Sequence, residues 1–294
     1  MSSPLVSICI PAYKAEKYLP AALETVRAQT FTDWELIVTE DGSKDRAEEI
    51  VRTFAGSVSQ PVTYNRHEKN RGLPETRNTG MATGRGQWFA YLDADDLWLP
   101  DHLQRLVEAA GEGVDLVFAG SQIFDDATGR DMERREPTPE SLRTFAESLY
   151  TGKIVIQPSA AMVRATAVRK VGPFSPVYPI CNDMEYWIRL ISNGCLARYS
   201  GAVTCRYRKH PAAMSSKAAA LIAETGRICE AYAGWSAVPA RVRRRHPAAL
   251  YRYAGQILLK ASPAEARTLF RQSLRLEPLS GRSLAGYVSS VFRR

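Results

Sequence analysis

Early in the chain, short β-rich runs exchange regularly with amphipathic helical patterns, and this alternation constrains the fold more than any other feature. Residues 5–10, 34–39, 62–65 and 88–92 read as strands, and residues 15–28, 44–54 and 73–82 read as the helices between them. Strands parted by helices at this spacing build βαβ units. The expectation is an α/β fold with a mostly parallel central sheet flanked by helices. Sheets of this kind hold ligands beyond the carboxyl ends of their strands. The polar residues at those ends therefore matter most: 11–13, 40–43, 70–72 and 93–96.

Further strands are expected at 114–119, 160–163 and 203–207, with helices near 141–149 and 184–192, extending the same sheet. The rest of the chain is helical by pattern. A helix over 247–261 leads to Ser262-Pro263-Ala264-Glu265, which has the form of a capping box with proline at the first helical position. Two domains are expected, a catalytic one over 1–216 and a helical, basic extension over 217–294.

The formal net charge of +8 raises the question of nucleic acid. From residue 241 onward there are twelve Arg or Lys and two acids, so that segment carries +10 and the remainder −2. No nucleic-acid partner is expected, because the charge belongs to the tail rather than to the presumptive active domain. The arginines there form a basic amphipathic surface suited to peripheral contact with anionic lipid. The five scattered cysteines show no C-x-x-C pair and read as free thiols of a reducing compartment. With no signal-like start and no long apolar run, the expected location is the cytoplasm, at the inner face of the cell membrane where the tail makes contact.

Asp93-Ala94-Asp95-Asp96 directly follows the apolar run 88–92, so a buried strand delivers three carboxylates to the sheet edge. Carboxylates packed so closely repel unless a cation is present. Oxygen ligands of this kind suit Mg²⁺ or Mn²⁺ shared with substrate phosphates. The competing reading is a solvated turn that caps the helix after Pro100. Asp41-Gly42-Ser43 places a second carboxylate at the neighbouring strand end, able to accept from a ribose hydroxyl or a base N–H, or to serve as a plain helix cap. Asn70-Arg71-Gly72 with Arg77-Asn78-Thr79-Gly80 sets amides, glycines and guanidinium groups around the next helix, where Arg77 can reach a diphosphate or the acid cluster.

Taken together, Val6-Ser7-Ile8-Cys9-Ile10-Pro11-Ala12-Tyr13, Val38-Thr39-Glu40-Asp41-Gly42-Ser43, the Asn70 and Arg77 motifs and Leu92-Asp93-Ala94-Asp95-Asp96 resemble the family 2 inverting glycosyltransferases over residues 4–216. That resemblance implies the GT-A fold and a nucleotide-sugar donor. It implies that Pro11, Ala12 and Tyr13 line the nucleobase pocket and that Asp41, ranked above Glu40, binds the base or ribose. Asn70, Gly72, Arg77, Asp93, Ala94 and Asp95 belong to the donor site by the same likeness, with Asp93, Asp95 and His210 toward a divalent cation, Mn²⁺ or Mg²⁺. Asp183, in Cys181-Asn182-Asp183-Met184-Glu185, matches the general base that deprotonates the acceptor hydroxyl, with Glu185 as its rival; Asn182 stands where the family often has Glu.

The implied reaction moves a sugar from a UDP- or dTDP-sugar to a saccharide, glycolipid or lipid-linked acceptor, with inversion, in cell-surface polysaccharide or glycolipid synthesis. A sugar nucleotidyltransferase and a non-catalytic nucleotide- or membrane-binding module are the alternatives. A dinucleotide-dependent dehydrogenase is excluded by Pro11-Ala12-Tyr13 where a glycine-rich turn belongs, and a P-loop is absent.

Overall fold

The chain opens as β1 (Val6–Ala12), α1 (Leu19–Arg27), β2 (Trp34–Glu40), α2 (Ala47–Ala55), β3 (Val62–Arg66), α3 (Leu73–Thr83) and β4 (Trp88–Tyr91), in a computed structural model that describes residues 4–211 and 217–292. Every residue of β1, β2 and β4 is buried, whereas β3 at the sheet edge is partly exposed. Strands covered on both faces have no solvent face to mark with polar residues, which explains their near-continuous apolar runs. The helices turn apolar stripes inward, with Leu19, Ala22, Leu23 and Val26 on α1 and Val51 and Phe54 on α2. Parallel register aligns Ile8 with Leu36 and Ala90, Ala12 with Glu40, and Glu40 with Arg66. The carboxyl ends of these four strands thus share one edge.

The chain continues as β5 (Leu97–Trp98), α4 (His102–Ala109), β6 (Val114–Asp125), β7 (Asp131–Arg135), α5 (Pro139–Arg143), α6 (Phe145–Tyr150), a 3₁₀ turn (Pro158–Ala160), β8 (Ala161–Arg164), α7 (Ala165–Val171), α8 (Asn182–Ser192) and β9 (Leu196–Lys209). Among the described residues the strands form one sheet in the order β3-β2-β1-β4-β8-β6-β9-β5, with β7 beside β6. Strands β5, β7 and β8 oppose their neighbours, so the sheet is parallel through its first four positions and mixed beyond. The single helix expected over 141–149 is two short ones, parted at Thr144.

Four longer helices follow: α9 (Ala218–Ala231), α10 (Ala240–Leu258), α11 (Pro263–Leu276) and α12 (Gly281–Phe292). The chain divides into two compact units, one drawn from Met1–Pro139 and Ile154–His210, the other from Glu140–Lys153 and Pro211–Arg294. The helical unit thus recruits α6 from the middle of the sequence. The domain limit expected after 216 falls in 212–216, outside the described residues.

Helix α10 begins at Ala240, not at Pro247 as the sequence pattern implied; Pro247 lies inside it. A proline ring removes the N–H that the carbonyl four residues earlier would receive. That carbonyl belongs to Arg243, and the Tyr150 hydroxyl stands 3.4 Å from it while donating to the Cys229 carbonyl at 2.7 Å. The expected capping box at Ser262 is also altered: its hydroxyl donates to the Glu265 carboxylate at 2.8 Å rather than capping a backbone N–H.

Candidate active site

The site is built along the carboxyl edge of the parallel strands. Pro11 and Ala12 end β1 inside the core. The chain then passes Tyr13, 48% exposed, and Lys14, whose φ of 52° lies in the left-handed region. Non-glycine residues held there cost about 1–3 kcal/mol and persist where the surroundings require them. Lys44, with φ 46°, does the same beyond the end of β2. Tyr13 is an exposed aromatic on which a flat heterocycle can stack.

At the end of β2, Asp41 is only 2% exposed and both its oxygens are engaged. One accepts from the Arg71 backbone N–H at 2.8 Å and lies 2.7 Å from His67 Nδ1; the other accepts from the Gly72 N–H at 2.8 Å. His67 is held in turn by Thr79 at 2.9 Å. Asp41 therefore fixes the turn that starts α3. Gly42, at φ 74°, presses against the backbone of Lys69 and Asn70, where an added Cβ would stand 2.7 Å from the Lys69 carbonyl carbon. Glu40 is different. One of its oxygens accepts from the Ser43 hydroxyl at 2.6 Å; the other is buried without a hydrogen bond among the described residues, with the Arg66 guanidinium 3.4 Å away. Asn70 is exposed on the turn that Asp41 holds.

Arg77 is the only guanidinium expected at the donor site that the fold buries, at 2% exposure, on α3. Its Nη2 donates to both oxygens of Asp93, at 2.6 and 2.9 Å, and its Nη1 donates to Asn182 Oδ1 at 2.6 Å. Phe174 lies 5.5 Å from the guanidinium carbon, in a segment that Asn78 pins by accepting from the Phe174 N–H and donating to its carbonyl. Arg77 thus joins the end of β4 to the start of α8.

The acids after β4 separate into different roles. Asp93 pairs with Arg77, and burial raises its pKa, partly offset by that arginine. Ala94 is buried. Asp95 is 34% exposed, with one oxygen 2.9 Å from His210 Nε2. Asp96 is buried, accepting from the Ser159 hydroxyl at 2.6 Å and from the Arg208 N–H at 2.9 Å, and burial drives its pKa well above the usual range. Ser159 also accepts from the Asp93 N–H at 3.0 Å, so one hydroxyl sets both ends of the acidic turn. Arg208 donates to the Asp95 carbonyl at 2.6 Å and to Asp126 at 2.8 Å, and Asp126 accepts from Tyr18 at 2.8 Å and Lys17 at 2.9 Å. The end of β9 is thereby tied to the acidic turn and to the loop after β1.

Asp183 and Glu185 both lie in the first turn of α8, but Glu185 is locked in a buried ion pair whereas Asp183 is partly exposed. Glu185 is buried and paired with Arg189 at 2.9 Å. Asp183 is partly exposed and accepts from the Met184 N–H at 2.8 Å. Its pKa is raised chiefly by burial, with Arg77 opposing and Asp93 reinforcing the shift. A carboxylate with its pKa raised in this way is a stronger base, when ionised, than an ordinary aspartate.

The structure gathers the expected residues at one sheet edge but distributes them unevenly. Asp95 and His210 meet as a pair, whereas Asp93, expected beside the cation, faces Arg77. No group of three or more His, Cys, Asp or Glu side chains able to hold a metal is present among the described residues. The carboxylate oxygen of Asp95 and the imidazole nitrogen of His210 suit Mn²⁺ or Mg²⁺ as a partial set, completed by phosphate oxygens and water. Ser159, His67 and Asp126 were not anticipated. Ser159 is 66 residues from Asp93 in sequence, and no local motif marks it.

The sequence pattern named Glycosyl transferase family 2 matches residues 7–172, more than half of the chain. The chain is 29% identical over 157 residues to the putative glycosyltransferase EpsH of Bacillus subtilis, covering 52% of this chain and 45% of that protein. It is 29% identical over 218 residues to a PGL/p-HBAD biosynthesis glycosyltransferase of Mycobacterium bovis, covering 71% of this chain and 78% of that one. The fold is similar to that of S. aureus TarS 1–349 in complex with UDP-GlcNAc, at TM-score 0.65 and 15% identity over 96% of this chain and 89% of that one. It is equally similar to the mannosyltransferase PcManGT from Pyrobaculum calidifontis in complex with GDP-Man and Mn²⁺, at TM-score 0.65 and 15% identity over 99% and 87%. A mixed α/β sheet of this GT-A type, with its acidic turn at the carboxyl edge and a family match across both, makes the chain a member of the family 2 glycosyltransferases.

Proposed function

We propose that this protein transfers a sugar from a nucleoside-diphosphate sugar, UDP- or dTDP-linked, to an acceptor hydroxyl with inversion, in cell-surface polysaccharide or glycolipid synthesis. The observation that carries the reading is Arg77. Its one buried guanidinium holds Asp93 of the acidic turn through one nitrogen and Asn182, the residue before Asp183, through another, which supports separate groups for the leaving diphosphate and for the acceptor. Inverting transfer needs that separation, since the nucleophile enters opposite the departing group and is deprotonated by a base distinct from the donor site.

Asp183 removes the acceptor proton; Arg77 keeps the acidic turn and α8 in register and adds positive charge beside the diphosphate. Tyr13 stacks on the base, Pro11 and Ala12 floor its pocket, and Asp41 holds the turn of Asn70 and Gly72 against it. Glu40 has the unsatisfied oxygen at this edge and takes the direct contact with the nucleoside in our reading, with Asp41 acting through the turn. Asp95 and His210 would hold a divalent cation, which would supply charge neutralisation on the departing diphosphate. The protein works in the cytoplasm, its basic helices at the inner face of the membrane near a saccharide, glycolipid or lipid-linked acceptor; no described helix is long and apolar enough to cross a membrane.

A thermal-shift screen of UDP-, dTDP- and GDP-sugars with and without Mn²⁺ or Mg²⁺ tests the donor. A ligand at about 100 times its dissociation constant stabilises by about 2.7 kcal/mol, a readily measured rise in melting temperature. Absence of a shift with every nucleotide in both metals overturns the donor reading.

A further inference from the structure

Helix α12 is packed with its apolar face outward. Its inner face consists of small residues: Ser283 and Ser290 are fully buried, and Gly286 lies so close to the Phe270 ring that an added Cβ would stand 2.4 Å from it. The Ser283 hydroxyl bonds Ser273 at 2.8 Å, and Arg267 donates to the Ser290 carbonyl at 2.6 Å. The opposite face carries Leu284, 54% exposed, Val288, 45%, and Val291, 44%; Phe292 at the helix end is 81% exposed. At about 100° per residue, Leu284, Val288 and Val291 share an arc of about 60°. An ordinary surface helix does the reverse and buries its large side chains.

What covers this stripe is decided by charge. Arg271 and Arg282 are exposed on α11 and α12, while Arg275 is paired with Glu230 of α9, and the Arg271 guanidinium donates at 3.2 Å to the hydroxyl of Tyr287. The segment from residue 241 onward carries +10. A second copy would bring arginines of like charge to the contact, whereas an anionic bilayer brings the opposite sign together with an apolar interior. Twelve residues cannot span a membrane but can lie in its interface with one face immersed. We infer that α12 lies in the plane of an anionic membrane, with Leu284, Val288 and Val291 in the acyl boundary and the neighbouring arginines on the headgroups. This rests on the peripheral membrane contact proposed above and names the element that makes it.

The test is co-sedimentation of the full chain with phosphatidylcholine vesicles, with and without phosphatidylglycerol. The wild type and a variant carrying Leu284→Ser, Val288→Ser and Val291→Ser are compared. Wild type binds the anionic vesicles, and the triple variant binds them at least about tenfold more weakly while keeping its melting temperature, since all three side chains are exposed. An environment-sensitive fluorophore on Val288→Cys, selective because the five native cysteines are buried, shifts to the blue on anionic vesicles. Equal binding by wild type and triple variant overturns the role of α12 and leaves a purely electrostatic contact. No binding by wild type removes the membrane reading altogether. A wild-type dimer that the triple variant dissolves, with no fluorophore shift on vesicles, assigns the face to a second copy and overturns the inference.

Discussion

One guanidinium nitrogen of Arg77 stands 2.6 and 2.9 Å from the two carboxylate oxygens of Asp93, beneath an acidic turn that would otherwise hold three crowded charges. Because Arg77 also grips Asn182, its loss affects two parts of the site at once. Lysine keeps the charge but has no planar fork, so it cannot serve both partners together. Arg77→Lys is expected to lower kcat/KM for transfer by about 10–100-fold, the equivalent of one charge-assisted hydrogen bond at about 1.5–3 kcal/mol. Steady-state kinetics check this, and wild-type rates in the variant would remove Arg77 from the site.

Asp183 and Glu185 are separated by kinetics. Asp183→Asn is expected to lower kcat by about 10²–10⁴-fold while nucleotide binding, read by thermal shift, is kept. Glu185→Gln loosens the pair with Arg189 and lowers melting temperature more than turnover. In wild type the rate falls as pH drops through the Asp183 pKa, because the protonated acid cannot accept a proton. Burial raises that pKa, so the acidic limb lies above the ordinary aspartate value. A pH–rate profile unchanged by Asp183→Asn moves the base elsewhere.

The succession of the first four strands along the chain and the residues at their ends were legible in sequence because each strand is short and followed at once by its polar residues, whereas the order within the sheet and the short strands β5 and β7 were not. Residues 88–92 and Asp93 through Asp96 are contiguous, so the strand announces its own ligand turn. What was not legible acts across distance. Asp41 reads as a nucleotide ligand because it is a carboxylate at a strand end, yet its oxygens are taken by the N–H groups of Arg71 and Gly72, thirty residues on. Pro247 reads as a helix start because the tertiary contact from Tyr150 that tolerates it inside α10 leaves no local trace. The inverted packing of α12 was hidden for the same reason: its sequence shows a stripe, and only the position of Phe270 shows which side faces in.

Asp41→Asn tests the positioning role. The amide must turn an NH₂ toward a donor, leaving a backbone N–H at Arg71 or Gly72 unsatisfied at a cost of about 1–3 kcal/mol. The expected outcome is a weaker donor KM with kcat little altered, and faster amide exchange in the turn at residues 70–72. Glu40→Gln, by contrast, is expected to weaken nucleotide binding without loosening the turn. Unchanged exchange in Asp41→Asn would return that carboxylate to direct nucleotide contact.

The cation is tested by binding rather than by turnover. Asp95→Ala is expected to abolish the dependence of nucleotide binding on Mn²⁺ in isothermal titration, and His210→Ala to weaken it about tenfold. Asp93→Asn leaves metal dependence in place and lowers melting temperature, because buried Arg77 then loses its ion-paired carboxylate. Retention of full Mn²⁺ dependence in Asp95→Ala would place the metal on other groups.

His102 gives the protein an acid-sensitive joint away from this chemistry. It is fully buried on α4, stacked on Trp98 with ring centres 4.5 Å apart, bonded to the Thr204 hydroxyl at 2.7 Å, and its Nε2 has no hydrogen-bond partner among the described residues. Burial lowers its pKa to about 3, with Asp101 opposing weakly. Between that value and the unfolded value of about 6.5 the unfolded chain binds a proton that the folded chain refuses, so stability rises with pH across the window. The contribution is complete above the unfolded pKa and is lost as pH falls. From pH 7 to pH 5 the loss from this group is about 2 kcal/mol, at about 1.36 kcal/mol per pKa unit. Urea unfolding of wild type and His102→Leu at the two pH values checks it: the variant's stability falls less over the interval by about that amount, whatever its absolute stability. Parallel losses in the two proteins would mean that His102 is protonated at no cost in the folded state, and that water reaches its ring.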